Sequence, residues 1–268
     1  MFSYLYDRFF VKKPYIRRFV TRLIEGDKEK KIELLGCSIQ VNSIKEHGYL
    51  RASRMARFSS LFRDELPIII HLAALLSHAD AFVDIGANVG IFSASLAKLK
   101  QIYRHINFYA FEANPDTFLR LQKTTYGLPI KAHCIALAER EGELEFVSGA
   151  VSHVFTTIEN NYSDLAQKKV TVPCRRLDSF DILGNRIIIK IDVEGQELEV
   201  LKGAEDLFNS NRVIAVYLDG YKNNQVESWL KGYGFDFFDG RSLKKIEGEA
   251  FSLLAIKMEP NNTLIPQS

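Results

Sequence analysis

Cysteine is scarce and scattered: Cys37, Cys134 and Cys174 are the three in the chain, and none forms a C-x-x-C pair. Neither a disulfide framework nor a zinc site is expected from such spacing, so the thiols read as core residues in a reducing compartment and no metal ligand set is predicted. Excess charge of one sign is missing as well. With 35 Lys and Arg against 33 Asp and Glu, the formal net charge is +2. Nothing in that balance calls for a polyanionic partner, and nucleic acid is disfavoured. Long apolar runs are also lacking. The longest, Leu66 to Leu76, is about half the roughly 20 residues that span a bilayer, and it contains His71. Asp7 and Arg8 interrupt the apolar residues near the N-terminus, so no secretory signal is read there. The expectation is a cytoplasmic protein. Asn161-Tyr162-Ser163 and Asn261-Asn262-Thr263 match the glycosylation triplet, a pattern too short to change that reading.

What is present is apolar mass: 47% of 268 residues are hydrophobic, enough for one large α/β domain with an extension. The most informative stretch is Ala81 to Gly90, AFVDIGANVG. Ala81, Phe82, Val83 and Ile85 form an apolar run of strand length; Gly86, Asn88 and Gly90 follow before Ile91 opens a helical pattern. A strand, a glycine turn and a helix start make a nucleotide-type pocket, because free helix N–H groups attract polar ligand atoms and glycine permits close approach. Asn88 stands where the dinucleotide fingerprint has its second glycine, so a compact nucleoside without phosphates fits better than a dinucleotide.

On either side of this stretch the pattern alternates. Phe2 to Phe10 and Ile16 to Ile24 read as two short amphipathic helices flanking Lys13-Pro14, with Arg18 and Arg22 on another face. Their stripe suits docking on the main domain; peripheral contact with a membrane surface is the alternative. Ile32 to Val41 and Tyr49 to Ala52 read as short strands, and Asp64 as the cap of a helix running to about Ser77. Strands at Asn107 to Phe111 and Ile130 to Ala136 enclose a helix from Pro115, giving a β-α-β-α-β order and hence a parallel sheet. An added strand at Gly142 to Val147 precedes a polar stretch, Ser148 to Lys169, long enough to cover a pocket. Arg186 to Asp192 reads as a central strand, Glu197 to Phe208 as a helix, Val213 to Leu218 as a strand, and Phe235 to Phe238 with Phe251 to Lys257 as a terminal hairpin.

Glu112 ends the second strand, where an acidic side chain can accept both hydroxyl protons of a ribose; favouring the next helix dipole is the plainer alternative. Ala136 and Leu137 can wall an adenine. In Lys190-Ile191-Asp192-Val193-Glu194-Gly195, residues two apart share a strand face, so Lys190, Asp192 and Glu194 are directed together. Either they serve chemistry or Lys190 and Asp192 form an ordering ion pair.

Val83 to Gly90, then Ala110-Phe111-Glu112-Ala113-Asn114-Pro115, then Lys190 to Gly195 continuing through Val200-Leu201-Lys202-Gly203-Ala204, together resemble the FkbM-type methyltransferases over about Asp64 to Asp219. Ala113 stands where family members commonly have proline. The resemblance implies a doubly wound, mostly parallel seven-stranded methyltransferase sheet in a domain of residues 64–268; residues 1–63 carry no resemblance and read from their own pattern as an N-terminal helical and small β extension. It implies S-adenosylmethionine as cofactor and methyl transfer to a hydroxyl of a sugar, glycan precursor or polyketide-type small molecule. Asp84, Gly86, Asn88, Gly90, Glu112, Ala136 and Leu137 are then the cofactor residues. Asp192 is the first candidate for a polar group beside the reacting atoms, with Glu194 and His153 as further possible bases. Asp219 and Tyr221 either line the acceptor pocket or cap the following turn. A nicotinamide-dependent oxidoreductase and a non-catalytic binding protein on the same scaffold are the alternatives. The missing second glycine opposes the first, and the presence of both Asp192 and Glu194 opposes the second.

Overall fold

The computed structural model of the chain describes residues 14–56, 59–103, 105–148, 155–157, 168–221, 225–247 and 250–257. Helix α1 (Pro14–Glu25) leads to a hairpin of β1 (Glu29–Leu34) and β2 (Cys37–Asn42). Ile32, Leu34, Ile39 and Val41 alternate inward, and Glu29, Lys31 and Glu33 face out. Two expectations change here. Tyr49 to Ala52 is not a strand but part of helix α2 (His47–Arg54), whose buried His47 and Leu50 lie on one face a turn apart. Asp64 does not cap the next helix. A π-helical turn, Leu61–Glu65, runs directly into α3 (Leu66–Leu75), so the backbone is already helical and a side-chain cap has no role; Asp64 pairs with Arg63 and Arg241 instead. The helix expected at Phe2 to Phe10 lies outside the described residues.

From Ala81 strands and helices alternate: β3 (Ala81–Ile85), α4 (Ile91–Ala97), β4 (Asn107–Phe111), α5 (Pro115–Thr125) and β5 (Ile130–His133). The Asn114 side chain caps α5, accepting from the N–H groups of Asp116 at 3.0 Å and Thr117 at 3.5 Å. The third strand, expected to reach Ala136, stops at His133. Beyond it β6 (Ala136–Leu137) leaves the main sheet and joins β7 (Gly142–Ser148), β8 (Phe155–Thr157) and β9 (Lys168–Arg175) in a second sheet of order β6-β9-β7-β8.

β10 (Ile187–Ile191) is buried along its whole length, as its run of isoleucines requires. The helix expected from Glu197 to Phe208 is two, α6 (Glu197–Lys202) and α7 (Glu205–Asn209). Gly203 lies between them, and glycine is needed there because the backbone of Ala138 passes against it: a Cβ would lie 2.2 Å from the Ala138 carbonyl oxygen. Then come β11 (Val213–Asp219), α8 (Gln225–Gly232), β12 (Phe235–Asp239) and β13 (Ser252–Lys257). The main sheet has seven strands in the order β12-β13-β11-β10-β3-β4-β5; its pairs from β5 to β11 are parallel and those of β13 antiparallel. This is the doubly wound, mostly parallel fold that the sequence predicts. The chain runs outward from β3 to β5 and then returns to β10, so the order reverses between β3 and β10.

The proposed extension and the proposed domain share one core. Ile32, Ile39, Leu50 and Leu61 pack in the same cluster as Leu72, Phe82, Phe108 and Tyr217. A buried ionic link adds to it: Arg120 on α5 holds Glu46 at 3.2 Å and Glu29 at 3.3 Å, and the Glu46 side chain is fully buried. On α1, Ile16 and Val20 are half-buried, whereas Phe19, Leu23 and Ile24 are exposed, so docking covers part of the expected stripe. Among the described residues no helix is long and apolar enough to cross a membrane. Arg120→Met should strand the buried Glu46 carboxylate and cost about 3–5 kcal/mol of stability in urea unfolding. A loss below about 1 kcal/mol would show that the extension is held by its apolar contacts alone.

Candidate functional site

At the end of β3 the chain turns through Gly86, with φ +69°, and Asn88, with φ +52°, into α4. Gly86 and Ala87 donate their N–H groups to the Phe111 carbonyl at 3.0 and 2.9 Å, fastening the turn to β4. A Cβ on Gly86 would lie 1.8 Å from the Asp192 carbonyl oxygen, so glycine is needed here for the close passage of the chain leaving β10. Lys190, with a side chain 3% exposed, joins the two stretches: its Nζ donates to the Gly86 carbonyl at 2.8 Å and pairs with Asp84 at 3.2 Å and Asp192 at 3.6 Å. Burial works against the ammonium, but Asp84 and then Asp192 outweigh it and hold the group above its ordinary range. Asp84 also accepts from the Ser93 N–H at 3.2 Å and hydroxyl at 2.6 Å.

A cavity of about 700 Å³, counted out to its open mouth, lies beyond the carboxyl ends of β3, β4 and β10. Gly86, Asn88, Glu112, Ala136, Leu137, Asp192 and Glu194 all line it, so seven of the residues singled out from sequence meet at one place. Asp84 and Gly90 are not among the lining residues. Asp84 is fully buried beneath the turn, and Gly90 opens α4 against Leu121. His153 lies outside the described residues.

Glu112 receives the N–H groups of Asn88 and Asn114 at 2.8 Å, one on each carboxylate oxygen. Burial nevertheless pushes its carboxyl up to about 7, with these two bonds opposing the rise. Asn88 Oδ1 is buried without a hydrogen-bond partner in the described structure, a cost that a ligand donor would remove. The opposite wall is apolar: Ile135, Leu144 and Phe146 join Ala136 and Leu137.

On the other side, Asp192 is half-buried at the cavity edge, and Glu194 is exposed with φ +51°. Asp219, at the end of β11, accepts from the Tyr217 hydroxyl at 3.2 Å. Burial, then the charge of Asp192, pushes Asp219 up to about 6. Tyr221 hydrogen-bonds Glu227 of α8.

Sequence reasoning missed three things. The Lys190 to Asp84 pair depends on strand register, in which these residues are direct partners. The wall from Leu144 and Phe146 carries a legible signal, the alternation within β7. The burial of Glu65, which pushes its carboxyl up to about 8, carries none.

A cavity beyond the carboxyl ends of a doubly wound sheet, at its reversal, with a glycine turn and a strand-end carboxylate, lies where open α/β sheets bind their ligands. The chain belongs to the family described as the methyltransferase FkbM domain, whose profile matches residues 84–237. It is 28% identical over 156 residues to the hexuronic acid methyltransferase AglP of Haloferax volcanii; the match covers 58% of this chain and 62% of that protein's length. Among solved structures, the TehB-like SAM-dependent methyltransferase from Corynebacterium glutamicum gives a TM-score of 0.42 at 11% identity, covering 80% of this chain and 98% of that one. The tRNA (uracil-54, C5)-methyltransferase of Pyrococcus abyssi, in complex with S-adenosyl-L-homocysteine, gives 0.43 at 10% identity, covering 86% and 44%. Nothing about chemistry follows from likenesses of that size.

A carboxylate accepts hydroxyl protons better than a carboxyl does, and Glu112 gains its charge as pH rises through about 7. Affinity for S-adenosylhomocysteine should therefore increase between pH 6 and pH 8. Glu112→Gln should bind roughly tenfold or more weakly at pH 8 and lose that dependence, in keeping with about 1.5–3 kcal/mol for bonds to a charged group. Equal pH profiles for the two proteins in calorimetry would leave Glu112 a support for the α5 turn and nothing more.

Proposed function

We propose that this protein transfers the methyl group of S-adenosylmethionine to a hydroxyl oxygen of a sugar or glycan precursor. The observation that carries the reading is the placement of Asp192, on the cavity wall at the end of β10 and within ion-pair reach of the lysine that also holds the glycine turn. The cavity fits the cofactor on its own features. Asn88 Oδ1 lacks a partner, the oxygens of Glu112 have room for further donors beyond one N–H each, and an apolar wall faces them. Gly86, Asn88, Glu112, Ala136 and Leu137 would hold it.

When bound, S-adenosylmethionine supplies an electrophilic methyl group on a sulfonium. Asp192 is assigned to orient the acceptor hydroxyl and take its proton, so that the oxygen is the nucleophile and no charge is left on the product ether. Lys190 keeps that carboxylate fixed, and fixed geometry is the main source of rate in such a transfer. Glu194, exposed at the mouth, is the second candidate base. A sugar acceptor is supported by the archaeal relative, which is a hexuronic acid methyltransferase.

S-adenosylhomocysteine should raise the melting temperature of the full chain, since a ligand bound only by the native state stabilises it by mass action, whereas NADH should not. Stabilisation by NADH alone would return the chain to the oxidoreductase class. With labelled S-adenosylmethionine and a panel of glycosides and nucleotide sugars, Asp192→Asn should keep cofactor affinity and lose about 10²- to 10⁴-fold in turnover. Full turnover in that variant would remove Asp192 from the proton's path.

A further inference from the structure

The small net charge of the chain hides a strong asymmetry. Residues 1–63 hold 14 Lys and Arg against 6 Asp and Glu, whereas residues 64–268 hold 21 against 27, so the extension is basic and the domain acidic. A split of this kind points to an anionic partner surface for the basic part. The extension also leaves apolar groups in water. On α1, Phe19 and Leu23 stand one turn apart with Ile24 next in sequence, and the three are 63%, 70% and 72% exposed. Arg22, exposed and three residues on from Phe19, borders this strip, and Arg18 lies one turn before it. The C-terminal end of α2 lies beside the end of α1, because Glu25 pairs with Arg54 as well as with Lys30. Met55, whose N–H closes the last turn of α2 on the Arg51 carbonyl at 2.8 Å, is exposed there. Arg51 precedes Arg54 by one turn on the same face. Its Nε and Nη1 are buried, and neither has a hydrogen-bond partner in the described structure. A guanidinium keeps its charge, so burial of two donor nitrogens without an acceptor carries a cost that an anionic ligand group would remove.

We propose that α1 and the C-terminal end of α2 form a docking surface for a bilayer that contains anionic phospholipid. Phe19, Leu23, Ile24 and Met55 enter the interfacial region, and Arg18, Arg22 and Arg51 meet the headgroup phosphates. The proposal stands apart from the methyltransferase reading. Charge decides among the occupants that such a strip could take. A second copy in a two-fold pair would set this basic surface against itself. A nucleic acid would neutralise the arginines through its phosphates but would give the aliphatic side chains of Leu23 and Ile24 little to bury against. An anionic bilayer meets both needs, since headgroups attract the guanidinium groups while the acyl boundary takes up the apolar side chains, and the two contributions add. The acidic domain is repelled by the same headgroups, which turns the extension toward them.

The test is co-sedimentation of the full chain with vesicles of phosphatidylcholine alone and of phosphatidylcholine mixed with about 30% phosphatidylglycerol. The anionic vesicles should bind about tenfold or more tightly than the neutral ones, and raising salt from about 0.1 M to about 0.5 M should weaken that binding severalfold through screening. The double variant Phe19→Glu and Leu23→Glu, at two exposed positions, should lose about tenfold or more in vesicle affinity and keep the urea-unfolding midpoint of the parent. Arg51→Gln should weaken binding to the anionic vesicles severalfold without lowering that midpoint, since it removes a charge that has no partner. A lower midpoint with unchanged vesicle binding would make Arg51 a structural residue and overturn its part in the surface. Equal affinity for neutral and anionic vesicles, parent-like binding by the double variant, tighter binding of a single-stranded RNA oligonucleotide than of the vesicles, or a lipid-free dimer that the double variant dissociates would overturn the proposal.

Discussion

One buried ammonium organises the end of the sheet at which the cavity lies. Lys190 on β10 faces Asp84, its direct partner on β3, and from there its Nζ reaches both the carbonyl of Gly86 and the carboxylate of Asp192. The Phe92 ring lies 5.4 Å from the nitrogen, which adds a face that favours a cation. Such a charge is tolerated inside a protein only when it is paired, and removal of one partner from a buried pair typically costs about 3–5 kcal/mol because the other is left uncompensated. The glycine turn that opens the cavity and the carboxylate at its edge are thus set by the same group. Gly86 makes the contact sterically possible, since any Cβ there would occupy the Asp192 carbonyl.

Around this link the chain builds two unlike walls. The second sheet brings Ala136, Leu137, Leu144 and Phe146 to one side, a surface suited to a flat, apolar base. The other side carries Asp192 and Glu194. The β1–β2 hairpin and α2 pack in the same core as the sheet, and Arg120 of α5 ties Glu29 and Glu46 to it.

The sheet and the turn that opens the cavity were legible because their signals are local. Apolar runs of strand length, a glycine turn, Asn114-Pro115 at a helix start and a carboxylate ending a strand each depend on residues next to one another, and all fall where they were expected. What was not legible depends on separations in space. The reach of Asp84 to Lys190 follows from which strands are neighbours and in what register, and it moved Asp84 from the cavity to the support beneath it. The need for glycine at 203 comes from the passing backbone of Ala138, and the helical state of Tyr49 to Ala52 from burial of His47 and Leu50 on one face. Local pattern carries none of these contacts.

The central claim is that a nucleoside cofactor lies between the Glu112 carboxylate and the Asp192 carboxylate, in the space that Lys190 holds open. A crystal structure of the full chain with S-adenosylhomocysteine tests it most directly. The account predicts ribose hydroxyls within hydrogen-bond distance of Glu112, a donor on Asn88 Oδ1, the adenine against Ala136 and Leu137, and the sulfur turned toward Asp192. A cofactor bound elsewhere, or bound here with its sulfur directed away from the end of β10, would contradict it.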